Sequence, residues 1–250
     1  AMLSRWQAGA LGVMGVRFAR QAIDIADAYG QMASRIKMAT SSADEYEAVQ
    51  MRLLDVANET YRPLTEAQEG YIRTADALRA MGYNTQQAID VAGSLSYLFV
   101  TNAASAERAA NAQNAFAKAI QTGKVNAEGW QSILAAVPTI VDAIAASSGK
   151  TADEVRKLGA TGKLTAAELT EGLRSSYEAN RKLAADMPVT VADAMTKLSN
   201  SVSVLLGELN SGTGLSQLFV AAIDGASSAI DALTESLGTA SVAFAGWGED

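Results

Sequence analysis

The sequence predicts an all-α protein, and three observations carry that reading. Ala is abundant while the 250 residues hold only three Pro and few aromatics, a balance that favours helix over sheet. Apolar residues recur every three or four positions along most of the chain, the spacing of one helix face. Helix-start signals return at Ser42/Glu45, Asn84/Gln87, Thr151/Glu154 and Thr165/Glu168, where the first side chain accepts from the free N–H three residues on and the second reaches back.

Residues 1–40 read as an N-terminal helical arm. Positions 3–39 form one long helix or two, with Ala19, Ile23, Ala26, Gly30 and Ala33 along one face and Ile25, Met32 and Ile36 close by; small residues of this kind allow close helix approach. The run Ala8 to Val16 is closed by Arg17 and has no clear cleavage site, so it does not read as a convincing secretory signal, and it falls short of the roughly twenty apolar residues that span a bilayer. Ala1-Met2 reads as a cloning remnant, so the chain is expected to be a fragment of something longer.

Residues 41–187 read as a compact helical domain. A helix with Val49, Leu53, Val56 and Thr60 on its inner side stops at Arg62-Pro63, and Pro63 suits the first turn of the next, which carries Tyr71, Ala75 and Leu78 up to Met81-Gly82. Asn84 starts another, with Ile89, Val91, Leu95, Leu98 and Phe99 inward to about Thr101-Asn102. Ser105 starts a fourth, with Ala109, Ala112, Phe116, Ala119 and Ile120 inward to Gly123.

The stretch Thr122 to Leu173 is expected to organise the rest. Trp130, Ile133, Leu134, Val137, Ile140, Val141 and Ile144 line one helix face and form the predicted structural core. Pro138 interrupts that face, because it lacks an N–H and clashes with the carbonyl four residues back, so two shorter rods are expected. The opening Thr122-Gly123-Lys124-Val125-Asn126-Ala127 returns as Thr161-Gly162-Lys163-Leu164-Thr165-Ala166. Each copy reads as a helix joint, with Gly123 or Gly162 in the left-handed position and Asn126 or Thr165 as the cap of the next helix. The two copies are expected to lie side by side, as paired loops do in EF-hands, though neither carries the alternating oxygens calcium needs. A short helix with Val155 and Leu158 separates them, and one further helix is expected through Leu169, Leu173, Tyr177 and Leu183 to Met187-Pro188.

Residues 188–250 read as C-terminal amphipathic helices suited to a partner. Val191, Met195, Leu198, Val202 and Leu205 make a thin stripe, and Asn210 to Gly214 a break. Beyond it Leu218, Ile223, Ile230, Leu233 and Leu237 form the candidate partner face, opposite Asp224, Asp231 and Glu235. Those acids disfavour anionic lipid.

Chemistry is hard to place on this chain. It has no Cys and no His, which removes disulfides, thiolate and imidazole metal sites, and the usual nucleophile and general base. No cofactor, metal or catalytic residue is expected. The net charge of −7 is uneven, with nine Lys/Arg against ten Asp/Glu in residues 1–82 and eleven against seventeen in 83–250. No concentrated basic face is left for nucleic acid. An enzyme built from this chain would rest on paired carboxylates, with Glu128 and Glu168 at matching places in the repeat, yet acids in a first helical turn already complement the helix dipole.

The order of several pieces carries a resemblance: Gly82-Tyr83-Asn84-Thr85-Gln86-Gln87-Ala88, Ala103-Ala104-Ser105-Ala106, Ala119-Ile120-Gln121-Thr122-Gly123-Lys124, Gly129-Trp130-Gln131-Ser132-Ile133-Leu134-Ala135-Ala136-Val137-Pro138, and Lys157-Leu158-Gly159-Ala160-Thr161-Gly162-Lys163-Leu164-Thr165. Together with Ala43 to Gly82, this order over Ile23 to Leu183 resembles the tape-measure domain near the N-terminus of bacteriophage and prophage tail tape-measure proteins. The resemblance implies a structural role in tail assembly and length determination, placed in the virion tail and, during assembly, in the host cytoplasm. It implies contacts with tail tube, tail-tip or tail chaperone proteins and leaves a homo-oligomer open. A helix rises about 1.5 Å per residue, and this chain is punctuated every fifteen to twenty-five residues, so it reads as a folded unit attached to a ruler. A second reading makes Leu11–Phe18 and Leu215–Ala245 a membrane-active module, with membrane contact expected only of the longer parent protein; a third makes the chain a carboxylate hydrolase of cell-wall glycan.

Overall fold

The computed structural model describes residues 23–211 and 217–245, with side chains to Asn210 and from Gln217 to Glu235. The described residues are helical and hold no strand, as the composition predicts. The helices are α1 over 23–38, α2 Ala43–Glu59, α3 Leu64–Ala80, α4 Thr85–Thr101, α5 Ala106–Thr122, α6 Ala127–Ala136, α7 Ile140–Ser148, α8 Ala152–Ala160, α9 Ala166–Ser175, α10 Tyr177–Ala185, α11 Val191–Ser211 and α12 Gln217–Ala245.

Most boundaries follow from capping. Reciprocal boxes close at Asn84/Gln87, Thr151/Glu154 and Thr165/Glu168. At Ser42 only half the box forms: Ser42 Oγ accepts from the Glu45 N–H at 3.1 Å, while the Glu45 carboxylate accepts from the N–H of Ser41 at 2.6 Å. A further box at Thr190/Asp193 opens α11; the rule that finds Ser/Thr with Glu overlooks it because Asp takes the second place. Pro63 stands at the N-cap position just outside α3, with no side-chain hydrogen bond to offer, rather than occupying its first turn. Helices α2 and α4 end through left-handed Tyr61 (φ 51°) and Ala103 (φ 49°), where no Gly marks the stop.

Helix α4, not the Trp130 stretch, lies at the centre. It packs on α2, α3, α9 and α10, and its buried residues Ala88 to Phe99 point in every direction around the axis, the mark of a helix enclosed on all sides. Apolar periodicity seen one helix at a time does not reveal which helix ends up surrounded. The predicted inner faces of α2, α3 and α5 are buried as expected.

Two expectations are corrected. The helix expected from Leu169 through Leu183 breaks into α9 and α10 at Ser176, where the hydroxyls of Ser175 and Ser176 bond back to the carbonyls of Glu171 and Gly172, each at 2.7 Å, and Leu183 is exposed. In α1 the buried face is Ala26, Tyr29, Met32 and Ile36, not the stripe through Ile23 and Gly30; Tyr29 decides the rotation. The part of the arm before Ile23, including Ala19, lies outside the described residues.

Helices α11 and α12 form an antiparallel hairpin laid on α2. The inner side of α11 is small or polar: Ala194, Asn200, Ser201, Val204 and Glu208 are buried. On α12 the inner side is Leu218, Ala222 and Ala229.

Candidate protein-interaction surface

The two repeat joints meet. The Val125 N–H donates to the Leu164 carbonyl at 2.9 Å and the Ala166 N–H to the Gly123 carbonyl at 3.0 Å, an isolated antiparallel bridge between Lys124 and Thr165 with Val125 and Leu164 buried beneath it. Gly123 and Gly162 hold φ of 79° and 67°, a region costly for side-chain-bearing residues. Asn126 caps α6 through the Gly129 N–H at 2.7 Å. Pro138 lies at the bend between α6 and α7, which cross at 116°, with Val137 at φ −137° and ψ 69°, outside the α region that a following proline disfavours.

Trp130, Ile133, Val137, Ile140, Val141 and Ile144 are buried, and Leu134 is half-buried. The Trp130 indole lies against Gly159 so closely that a Cβ there would sit 2.3 Å from the ring. This knot is a packing centre.

The two carboxylates of the repeat sit in different settings. Glu128 is exposed. Glu168 accepts from the Thr165 N–H at 3.0 Å and pairs with Lys150 at 2.8 Å. Partial burial works to raise its pKa, but the Lys150 ammonium and the Thr165 donors outweigh it and hold the carboxyl below its ordinary value. A general acid of a glycosidase needs the opposite shift. Among the described residues no three acids converge as metal ligands do.

The polar groups that tie the molecule together lie at the hairpin seam, and the sequence reading missed them. Asn200 on α11 accepts from the Leu64 N–H at 2.8 Å and donates to the Arg62 carbonyl at 2.8 Å. It thereby caps α3 from another element where Pro63 cannot. Below it the Tyr29 hydroxyl donates to Glu208 at 3.3 Å, and Gln50 donates to both Tyr29 and Tyr46. Burial first, then Tyr46 and Glu208, drive the Tyr29 pKa far upward, so it stays a neutral donor. An Asn inside an apolar helical period was the available signal, since a buried amide at such a position fixes register. On the other flank, α2, α10, α11 and α12 enclose a cleft of about 520 Å³ bordered by Asp55, Glu59, Asp224 and Lys197.

The outer side of the hairpin is apolar. Val191, Met195, Val202 and Leu209 are exposed on α11, and Val220, Ile223 and Ile230 on α12. Of the predicted partner face, Ile223 and Ile230 are 44% and 53% exposed, Leu233 is half-buried, and Leu218 lies in the chain's own core. Leu237 falls outside the described side chains. Asp224, Asp231 and Glu235 occupy a separate shoulder of α12, and Asp224 borders the cleft. No single described helix is long and apolar enough to cross a membrane; the bent pair α6–α7 qualifies by length and composition, and its apolar residues are in the core.

No curated protein and no solved structure matches this chain. A family model described as tape measure protein matches residues 20–211, from the start of α1 to the end of α11. With an all-helical body and paired joints over that same span, the chain belongs to the tape measure protein family and is a structural component of a phage tail.

Proposed function

We propose that this domain acts in tail assembly and length determination through protein–protein contacts, and that the outer side of α12, centred on Ile223 and Ile230, is the contact face. The observation that carries the reading is an asymmetry. Among the described residues, ten of the twelve exposed large hydrophobic side chains fall between Leu183 and Ile230, and none between Ala39 and Lys182. Contiguous exposed apolar residues on an otherwise well-packed chain mark a surface that is covered in its working state. The partners that fit are tail tube, tail-tip or tail chaperone proteins. The domain is not itself the ruler: its longest described helix, with 29 residues, spans only about 44 Å. It anchors a partner, and the measured length belongs to a helical extension of the longer protein, assembled in the host cytoplasm.

The test is to replace Ile223 and Ile230 together with Ser in the full tape measure protein and score tails by electron microscopy in a complementation assay. Few or wrongly sized tails are expected, with the melting temperature of the isolated chain unchanged. Tails of normal number and length would sink the proposal.

A further inference from the structure

Among the described residues, Glu208 is the only acidic or basic residue that is buried, with 7% of its surface exposed. A carboxylate is seldom kept inside a fold, because taking its charge out of water is costly unless positive charge or hydrogen-bond donors meet it. Glu208 stands near the end of α11, and the Tyr29 hydroxyl of α1 donates to its Oε1 at 3.3 Å, longer than the roughly 2.5–3.0 Å of an ordinary hydroxyl bond.

That carboxylate borders a cleft. Helix α1, the start of α2, the end of α11 and the start of α12 enclose about 490 Å³, within the roughly 300–1,000 Å³ of small-ligand sites. Its apolar walls come from Ala26, Ala33, Ala43 and Leu218, and Tyr29 and Tyr46 line it together with Glu208. Lys37, which is exposed, and Glu47, which is half-buried, bring opposite charges to the lining. Glu47 accepts from the Gln217 N–H of α12 at 2.9 Å, so bonds between elements brace the cleft at two places. The cleft bordered by Asp55, Glu59 and Asp224 has more acids, but none of those three is buried.

The chemistry of the lining selects a ligand. Gln50 Nε2 donates to the Tyr29 hydroxyl at 3.4 Å and to that of Tyr46 at 3.2 Å, which gathers both phenol oxygens around one amide. Burial raises the pKa of both phenols, so at neutral pH the charge in this group is that of the carboxylate. An anion is repelled and a cation drawn in, with the aromatic lining adding to the attraction. Small apolar walls suit a slim methylene stem. A guanidinium fork needs both oxygens of a carboxylate, and Tyr29 already holds one; a primary ammonium is compact and bonds single acceptors.

We propose that this cleft binds a primary ammonium carried on a straight apolar stem, the chemistry of a lysine side chain or of a free diamine, with the Glu208 carboxylate as its counter-charge. The site shares no residue with the face at Ile223 and Ile230, so failure of either reading leaves the other standing.

In NMR titrations of the full chain, n-butylammonium should shift the amide signals of Gly30, Ala33 and Gly207 saturably, with a dissociation constant in roughly the millimolar range. Butan-1-ol and n-butylguanidinium should each bind at least about tenfold more weakly, since a charge-assisted bond is lost or misfitted. Glu208→Gln keeps an acceptor for Tyr29 and should weaken n-butylammonium at least about tenfold. Gly30→Leu tests the cleft without touching the carboxylate: Gly30 lines the cleft and a Cβ there would meet no atom within 4 Å, and Leu is the better helix former. That variant should melt no lower than the parent chain and lose the n-butylammonium shifts. Equal binding of the alcohol or the guanidinium, undiminished binding by Glu208→Gln or Gly30→Leu, or shifts confined to the acidic shoulder of α12 would each overturn the proposal. Should Glu208→Gln fail to fold, Gly30→Leu decides alone. The same titrations with Nα-acetyl-lysine N-methylamide and with cadaverine identify the source, a protein side chain or a free diamine, as whichever binds more tightly while obeying both variants.

Discussion

The body from α2 to α10 and the α11–α12 hairpin use the same helical alphabet in opposite ways. In the body the large side chains point inward: Tyr71, Tyr97, Phe99, Trp130 and a dozen aliphatics are almost fully buried. In the hairpin the inward positions are mostly small, Ala194, Ser201, Gly207, Ala222, Gly225 and Ala229, and apart from Val204 and Leu218 the large aliphatics are exposed or half-buried. A Cβ on Gly225 would lie 2.6 Å from the Ser201 hydroxyl, so the two helices meet almost backbone to backbone. Small inner residues bring helices together with little apolar area removed from water, about 25 cal/mol per Å². The hairpin therefore leans on polar seams for its position on the body and on further surfaces to cover its outer side.

The hardest test of this contrast is Trp130→Ala. It removes a buried aromatic that packs on Gly159, and such truncations cost about 3–5 kcal/mol. The urea midpoint of the whole chain should fall sharply. A change confined to hairpin signals would show that the body does not depend on the knot.

A smaller effect is expected at the seam. Asn200→Ala leaves the Leu64 N–H and the Arg62 carbonyl without their partner, and a buried polar group so orphaned costs about 1–3 kcal/mol. Hydrogen exchange should quicken in α11, α12 and the first turn of α3 while α4 and α6 keep their protection. Uniform loss across all helices would mean that hairpin and body unfold as one unit and that the contrast has no thermodynamic content.

How far the sequence foretold this follows the same line. Caps at Asn84, Ser105, Thr151 and Thr165 and the left-handed glycines at 123 and 162 were legible, because capping and positive φ are local chemistry. The pairing of the two joints was legible from their repeated order. What stayed hidden was relational. Nothing in its own stretch says that α4 is enclosed on all sides, that Tyr29 rather than Ile23 faces inward, or that Asn200 caps a helix 136 residues earlier. Leu218 and Ile223 share an apolar stripe in sequence, yet one is core and the other surface, since five residues turn Ile223 about 140° around the α12 axis from Leu218, while α2 meets the other side of the helix near Gln217 and Gly225. The family match rests on that local order, which is why it could be seen before any packing was known.

The smallest expected effect separates the two regions by pH. Glu59 on α2 accepts two bonds from Arg181 on α10, at 2.8 and 2.6 Å, and one from the Tyr97 hydroxyl. Burial pushes its pKa up, but Arg181 and Tyr97 more than offset this, and the net shift is downward. A depressed carboxyl contributes stability that is present above its unfolded value of about 4.3 and is lost as pH falls through the folded value. Asp55, one turn earlier, works in the opposite sense: burial first, then repulsion from Glu59, raises its pKa, so its contribution is present at low pH and lost as pH rises. The melting temperature should therefore hold between pH 7 and about 5 and decline below about 4. Glu59→Gln should make that decline shallower and Asp55→Asn steeper, with both changes reported by body signals such as Trp130 fluorescence. If instead Glu59→Gln left the acid limb untouched, the Arg181 contact would be a surface pair of the usual small worth, and the link between α2 and α10 would have to come from Arg52, which donates to the Tyr177 hydroxyl at 3.1 Å and lies 5.6 Å from the centre of its ring.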